Sequence, residues 1–140
     1  MAEFTGNLVQ TVAVGRDVLF SETPICGSGC IVYRTGSGVV TLRGNTNQCK
    51  ARYKITFGGN ISIPTGGTAA PISISIAVNS EPLSSATAIV TPTVINAFFN
   101  VSASVFVEVP KGCCYSITTV NTSTQPINVQ NANLIVERVA

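Results

Sequence analysis

Ile72-Ser73-Ile74-Ser75-Ile76-Ala77-Val78 alternates an aliphatic residue with a small or polar one, and Asn79-Ser80-Glu81-Pro82 follows at once. A period of two sends successive side chains to opposite faces of an extended chain, so Ile72, Ile74, Ile76 and Val78 mark one buried face. The next four residues are turn formers, and Leu83 to Thr91, ended by Pro92, reads as the returning strand of a hairpin. Upstream, Lys50 to Phe57 repeats the pattern. Ala51, Tyr53, Ile55 and Phe57 share one face, Arg52, Lys54 and Thr56 share the other, and Gly58-Gly59-Asn60 is expected to break the strand before Ile61 and Ile63. Downstream, Phe98 to Val109 is apolar at its odd positions, Val101, Ala103, Val105, Val107 and Val109. If those face the core, Phe98 and Phe106 point out of it.

Shorter runs at Leu8 to Val14, Val18 to Phe20, Cys30 to Arg34, Val39 to Leu42, Cys114 to Asn121 and Asn131 to Val139 complete the set. No apolar i, i+3, i+4 pattern persists over three turns, so no helix is expected. The reading is all-β: an antiparallel sandwich or barrel of 8–10 strands. It forms a single domain over residues 1–140, with 1–6 as a short N-terminal extension.

Composition agrees. The chain has 18 Val and 13 Ile against 5 Leu, the β-branched excess of a strand protein. Charged residues make up only 10%, well below the roughly 25–35% that keeps a monomer's surface soluble. Ser, Thr and Asn, 40 residues together, must supply a neutral, wettable surface that suits an outer coat or a subunit hidden in an oligomer. A net charge of +2 is too weak for a nucleic-acid footprint, and no apolar run is long enough for a membrane span. No secretory signal is readable at the N-terminus. A particle assembled inside a cell and released by lysis needs none.

The chemistry-bearing residues are sparse. The chain has no His, the commonest general base and metal ligand, so neither an enzyme nor a cofactor is expected. The six carboxylates, Glu3, Asp17, Glu22, Glu81, Glu108 and Glu137, are scattered and signal neither an acid/base pair nor a calcium loop. Five cysteines, Cys26, Cys30, Cys49, Cys113 and Cys114, leave at least one unpaired or paired between chains. Their spacing is poor for a four-thiolate zinc site, which leaves disulfides or reduced thiols filling small apolar gaps. Arg34, Arg43, Lys50, Arg52 and Lys54 form the one basic cluster, read as ion-pairing at an interface in preference to contact with an anionic glycan. An aromatic platform for a glycan would have to come from Tyr33, Tyr53 and Tyr115, of which Tyr53 reads as buried.

Three stretches carry a family resemblance: Ala51 to Phe57, Ile74 to Ser85, and the end of the chain, Asn121-Thr122-Ser123 with Asn131 to Val139. They resemble the central strand, the hairpin and the last strand of the bacterial and phage C1q/TNF-like jelly-roll family. That family includes BclA-type spore-surface domains and phage head-fibre or decoration proteins. The resemblance spans essentially the whole chain and implies a jelly roll assembled as a homotrimer. It implies display on a virion or spore surface, with particle or capsid proteins and surface glycans as further partners. A carbohydrate- or receptor-binding tip is the alternative. The chain departs from the family in having no collagen-like stalk and in its five cysteines.

The family's strand order would set Lys50–Phe57 antiparallel beside Phe98–Val109. Arg52 and Lys54 would then share an outer face with Glu108 and Glu137, and with the outward Phe98 and Phe106 they form the expected oligomer interface. The same order brings Cys49 to Cys113 or Cys114, leaving Cys26 and Cys30 as a short-loop pair or free thiols.

Overall fold

The computed structural model describes residues 2–25, 31–33, 38–44 and 46–139. Eleven strands run through them: β1 (Ala2–Gly6), β2 (Gln10–Val12), β3 (Glu22–Ile25), β4 (Ile31–Tyr33), β5 (Val40–Arg43), β6 (Lys50–Ser62), β7 (Ile72–Val78), β8 (Glu81–Val90), β9 (Phe99–Pro110), β10 (Cys114–Asn121) and β11 (Ile127–Arg138). Among the described residues there is no helix. Every pairing is antiparallel, in two sheets. One has the order β3-β1-β11-β6-β9, with β2 also on β11; the other has the order β4-β5-β10-β7-β8. This is a jelly-roll sandwich, slightly richer in strands than expected because β1 and β3, at positions where no strand was expected, are short pieces of five and four residues.

The alternating stretches fill the space between the sheets. Ala51, Tyr53, Ile55 and Phe57 of β6 are fully buried, as are Ile72 and Ile76 of β7 with Ile74 almost so. They pack with Phe4, Phe20, Leu42, Ile117, Leu134 and Val136 in one core cluster. The Tyr53 hydroxyl crosses from one sheet to the other and donates to the Arg43 carbonyl at 2.6 Å.

Two expectations about boundaries are corrected. Residues 2–6 are not an extension but β1, which runs between β3 and β11 with Ala2, Phe4 and Gly6 buried. Five residues are too few for the alternation Ala2, Phe4, Gly6 to stand out in sequence. Gly58-Gly59-Asn60 does not break its strand, and β6 continues to Ser62. The irregularity lies in the neighbour: the β6–β11 register shifts between Gln130 and Asn133, and Asn131 sits at φ 54°. A Cβ at Gly59 would stand 3.4 Å from the Ala132 Cα, an ordinary van der Waals contact, so the strand passes the bulge without strain.

The β7–β8 hairpin closes on two residues, with Val78 opposite Glu81 and Asn79 and Ser80 at φ 51° and 71°. Two left-handed residues make the type I′ turn that matches strand twist. Asn79 also ties the hairpin to β10: its N–H donates to the Ser116 carbonyl at 2.8 Å, and its Oδ1 accepts the Ser116 N–H at 3.0 Å.

Candidate functional site

The outward face of β9 and β6 gathers the residues singled out in the sequence. The register sets Arg52 opposite Glu108, Lys54 opposite Phe106 on one side, and Lys54 opposite Glu137 of β11 on the other. Glu108 is the hub. Its Oε2 lies 2.8 Å from the Lys50 Nζ and 3.7 Å from Arg52 Nη2, and the Lys50 hydrogen bond is the main reason its carboxyl is held below its ordinary range. Beside this pair of cations Phe106 is 60% exposed, and Phe98, just ahead of β9, is 41% exposed. Arg34 of the basic cluster lies outside the described residues.

A second apolar patch lies on the other side of the same sheet. Leu8 and Val9, between β1 and β2, are exposed together with Leu19. Gln10 holds them together, since its Nε2 donates to the Leu19 carbonyl at 2.8 Å and its Oε1 accepts the Leu19 N–H at 2.9 Å. The groove between them holds about 250 Å³ and is lined by Gly6, Leu8, Val9, Gln10, Leu19 and Ser21. Sequence reading missed this patch. The one signal was the adjacent pair Leu8-Val9, because two neighbouring apolar residues in an extended chain cannot both face the core.

Cys49, Cys113 and Cys114 are exposed free thiols. Cys49 stands just before β6, and its carbonyl accepts the Lys111 N–H at 3.0 Å. The Cys113 carbonyl accepts the Gly44 N–H at 2.9 Å. Gly44 and Cys49 are thus laced to the 110–113 turn at the Cys49 end of the β6–β9 pair. Cys26 and Cys30 lie outside the described residues.

The tyrosines offer no platform. Tyr53 is buried, Tyr115 packs against the core, and Tyr33 stacks on Phe4 with centroids 4.3 Å apart while donating its hydroxyl to the Phe20 carbonyl.

A polar hollow lies on the outer side of the second sheet. Gly15, Arg16, Asp17, Ser80, Thr118 and Val120 line about 250 Å³ there. Residues 15–18 are laid along β10 by hydrogen bonds from Gly15 N–H to the Asn121 carbonyl and from Val18 N–H to the Thr119 carbonyl, at 3.0 and 2.8 Å. Burial raises the Asp17 carboxyl above its ordinary value, against a smaller opposing pull from Arg16.

With this geometry the solved structures can be compared. The globular domain of zebrafish complement 1qA superposes with a TM-score of 0.65 at 10% identity, over 96% of this chain and 94% of its own. The Eiger TNF of S. frugiperda gives 0.70 at 12% identity, over 99% and 91%. The fold is the C1q/TNF jelly roll. No family model matches the chain, and no curated protein does. The C-terminal domain of EclA, a sugar-binding protein, overlaps at a TM-score of only 0.37 and 15% identity, over 76% of this chain and 81% of that one, too loosely to carry an argument. At these identities the jelly roll is shared as architecture alone.

Proposed function

We propose that this chain is a non-enzymatic display module that works as a homotrimer on the outside of a particle, a virion or a spore. The observation that carries the reading is apolar exposure on opposite sides of one sheet, Phe106 and, at the other end of the strand, Phe98 on the β9 side, and Leu8, Val9 and Leu19 on the β1–β2 side. Two different patches on one subunit make a head-to-tail contact, and such a contact closes into a ring when the rotation fits. Burial in the ring accounts for rings and aliphatics left in water on a chain with only 10% charged residues. Once the patches are covered, Ser, Thr and Asn dominate what remains, a neutral coat suited to the outer surface of a particle.

Light scattering at micromolar concentration tests the assembly. The expected mass is three times the 14.5 kDa of one chain, falling to one chain in Phe106→Asp. A native mass of 14.5 kDa would refute the trimer. Immunogold labelling of intact source particles tests the location: gold on the outer surface supports it, and gold confined to the cytoplasm refutes it.

A further inference from the structure

The fold sets two of the thiols at one turn, within a single chain and apart from any assembly. The β6–β9 pairing ends with Lys50 opposite Pro110. The bond from the Lys111 N–H to the Cys49 carbonyl, 3.0 Å, carries the same register one residue further, so Cys49 stands opposite Lys111. There the chain reverses. Gly112 takes a φ of 79°, as the third residue of a type II turn requires, and the Cys113 N–H closes the turn on the Pro110 carbonyl at 3.0 Å. Such a turn holds its end residues within about 7 Å, which folds Cys113 back beside Pro110. Gly44 clamps the same turn: its carbonyl accepts the Gly112 N–H at 3.2 Å, and its N–H donates to the Cys113 carbonyl at 2.9 Å.

Strand order alone leaves Cys113 and Cys114 as equal candidates for Cys49, and the alternation of β10 separates them. Ile117 lies in the core and Tyr115 packs against it, and one more step of two reaches Cys113. Cys114, paired with Arg43 inside the strand, falls on the opposite, outward face. The same count along β6 runs from the buried Tyr53 and Ala51 to Cys49. Cys49 and Cys113 thus continue the core-facing rows of two different sheets at the same open end of the sandwich, where both thiols are exposed.

We propose that Cys49 and Cys113 form a redox-modifiable pair, converted by a low-molecular-weight disulfide into a bridge between the two sheets, while Cys114 stays a thiol. One cysteine, losing its proton, attacks the small disulfide and expels a small thiol; the other then attacks the mixed disulfide and expels the second. Two protein thiols give up two electrons and two protons, and one small disulfide becomes two small thiols. A bridge needs Cα atoms roughly 4.4–6.8 Å apart, a range the turn supplies by holding Cys113 beside the residue paired with Lys50. The closed loop contains β6, β7, β8 and β9, so oxidation restricts the unfolded chain and raises resistance to unfolding.

The test equilibrates the full chain with mixtures of oxidised and reduced glutathione, blocks the remaining thiols, and maps the linked peptides by mass spectrometry. Fragmentation of the linked peptide reports which of the two adjacent cysteines is joined. The expected product is a chain two hydrogens lighter, with Cys49 joined to Cys113 and Cys114 carrying the blocking group. Cys114→Ser should form the same bridge, and its urea midpoint should fall when dithiothreitol is added. Cys49→Ser and Cys113→Ser should form no such bridge. Cys49 joined to Cys114, Cys26 or Cys30 would overturn the proposal. So would a bridge found only between chains on a non-reducing gel, no bridge at any glutathione ratio, or a urea midpoint in Cys114→Ser indifferent to reductant. The peptide map of the unaltered chain decides the pairing even if a serine variant fails to fold. Because the bridge is intramolecular, the result reads the same whether the light-scattering mass is one chain or three.

Discussion

Asp17 shows how a residue can be unremarkable in sequence and telling in the fold. As one of six scattered carboxylates it signalled nothing, since what matters is the β10 backbone that folds against it. Its pKa is raised above 3.8, chiefly by burial, so the native state favours the protonated form. For an acid shifted this way, the favourable contribution is complete below the unfolded value and is lost as pH rises through the folded one. Asp17→Asn, neutral at every pH, should therefore raise the urea midpoint at pH 7, and the gain should shrink toward zero near pH 3. A constant gain across that range would place its origin elsewhere than in the charge. Glu108 runs oppositely. Its carboxyl is held low by Lys50, so its contribution is present at neutral pH and fades as acid protonates it, though with both partners in water the effect is small.

At the scale of elements, the β7–β8 hairpin is where local sequence and fold agree most closely. Its alternation is unbroken, and its turn residues are of the kind a tight reversal needs. Only the second turn position is suboptimal. Ser80→Gly should stabilise the protein by up to about 1 kcal/mol in denaturant unfolding, because a left-handed backbone is free to glycine and costly to serine, less the freedom glycine adds to the unfolded chain. A loss of stability would mean that the Ser80 side chain contributes more than its backbone costs. The strands with long alternating runs, β6, β7 and β9, were legible for the same reason: seven or more residues of period two cannot be confused with a helix. β1 was not, because five residues carry too little periodicity. Nor was the continuation of β6 through Gly58-Gly59, since the strand it pairs with there, β11, lies more than seventy residues downstream. The β9 face with Phe106 and Glu108 could be read by extending a period; the Arg16–Thr118 hollow could not, because its walls come from three distant segments.

For the whole molecule, the arrangement of cations around Phe106 bears on the proposed trimer. Arg52 lies opposite Glu108, which already holds Lys50 at 2.8 Å, so within one chain Arg52 is the weaker partner. Arg52→Ala should leave the unfolding midpoint of the dissociated chain within experimental error while shifting the trimer–monomer midpoint to higher protein concentration, read by sedimentation. A large fall in monomer stability would instead make the cluster an internal support.

The position of β11 has a temporal meaning as well. This last strand lies between β1 and β6 and also holds β2, so the six-stranded sheet has no middle until residues 127–138 are available. At roughly 5–20 residues per second, a ribosome takes on the order of ten seconds to make the chain, and for nearly all of that time the edges of β1, β2 and β6 that pair with β11 have no strand beside them. The sheet cannot close before β11 is available, and exposed strand edges in the waiting chain make it a client for chaperones. A chain stopped after Gln125 should accordingly accumulate as insoluble protein, whereas a merely frayed terminus would leave it soluble and folded.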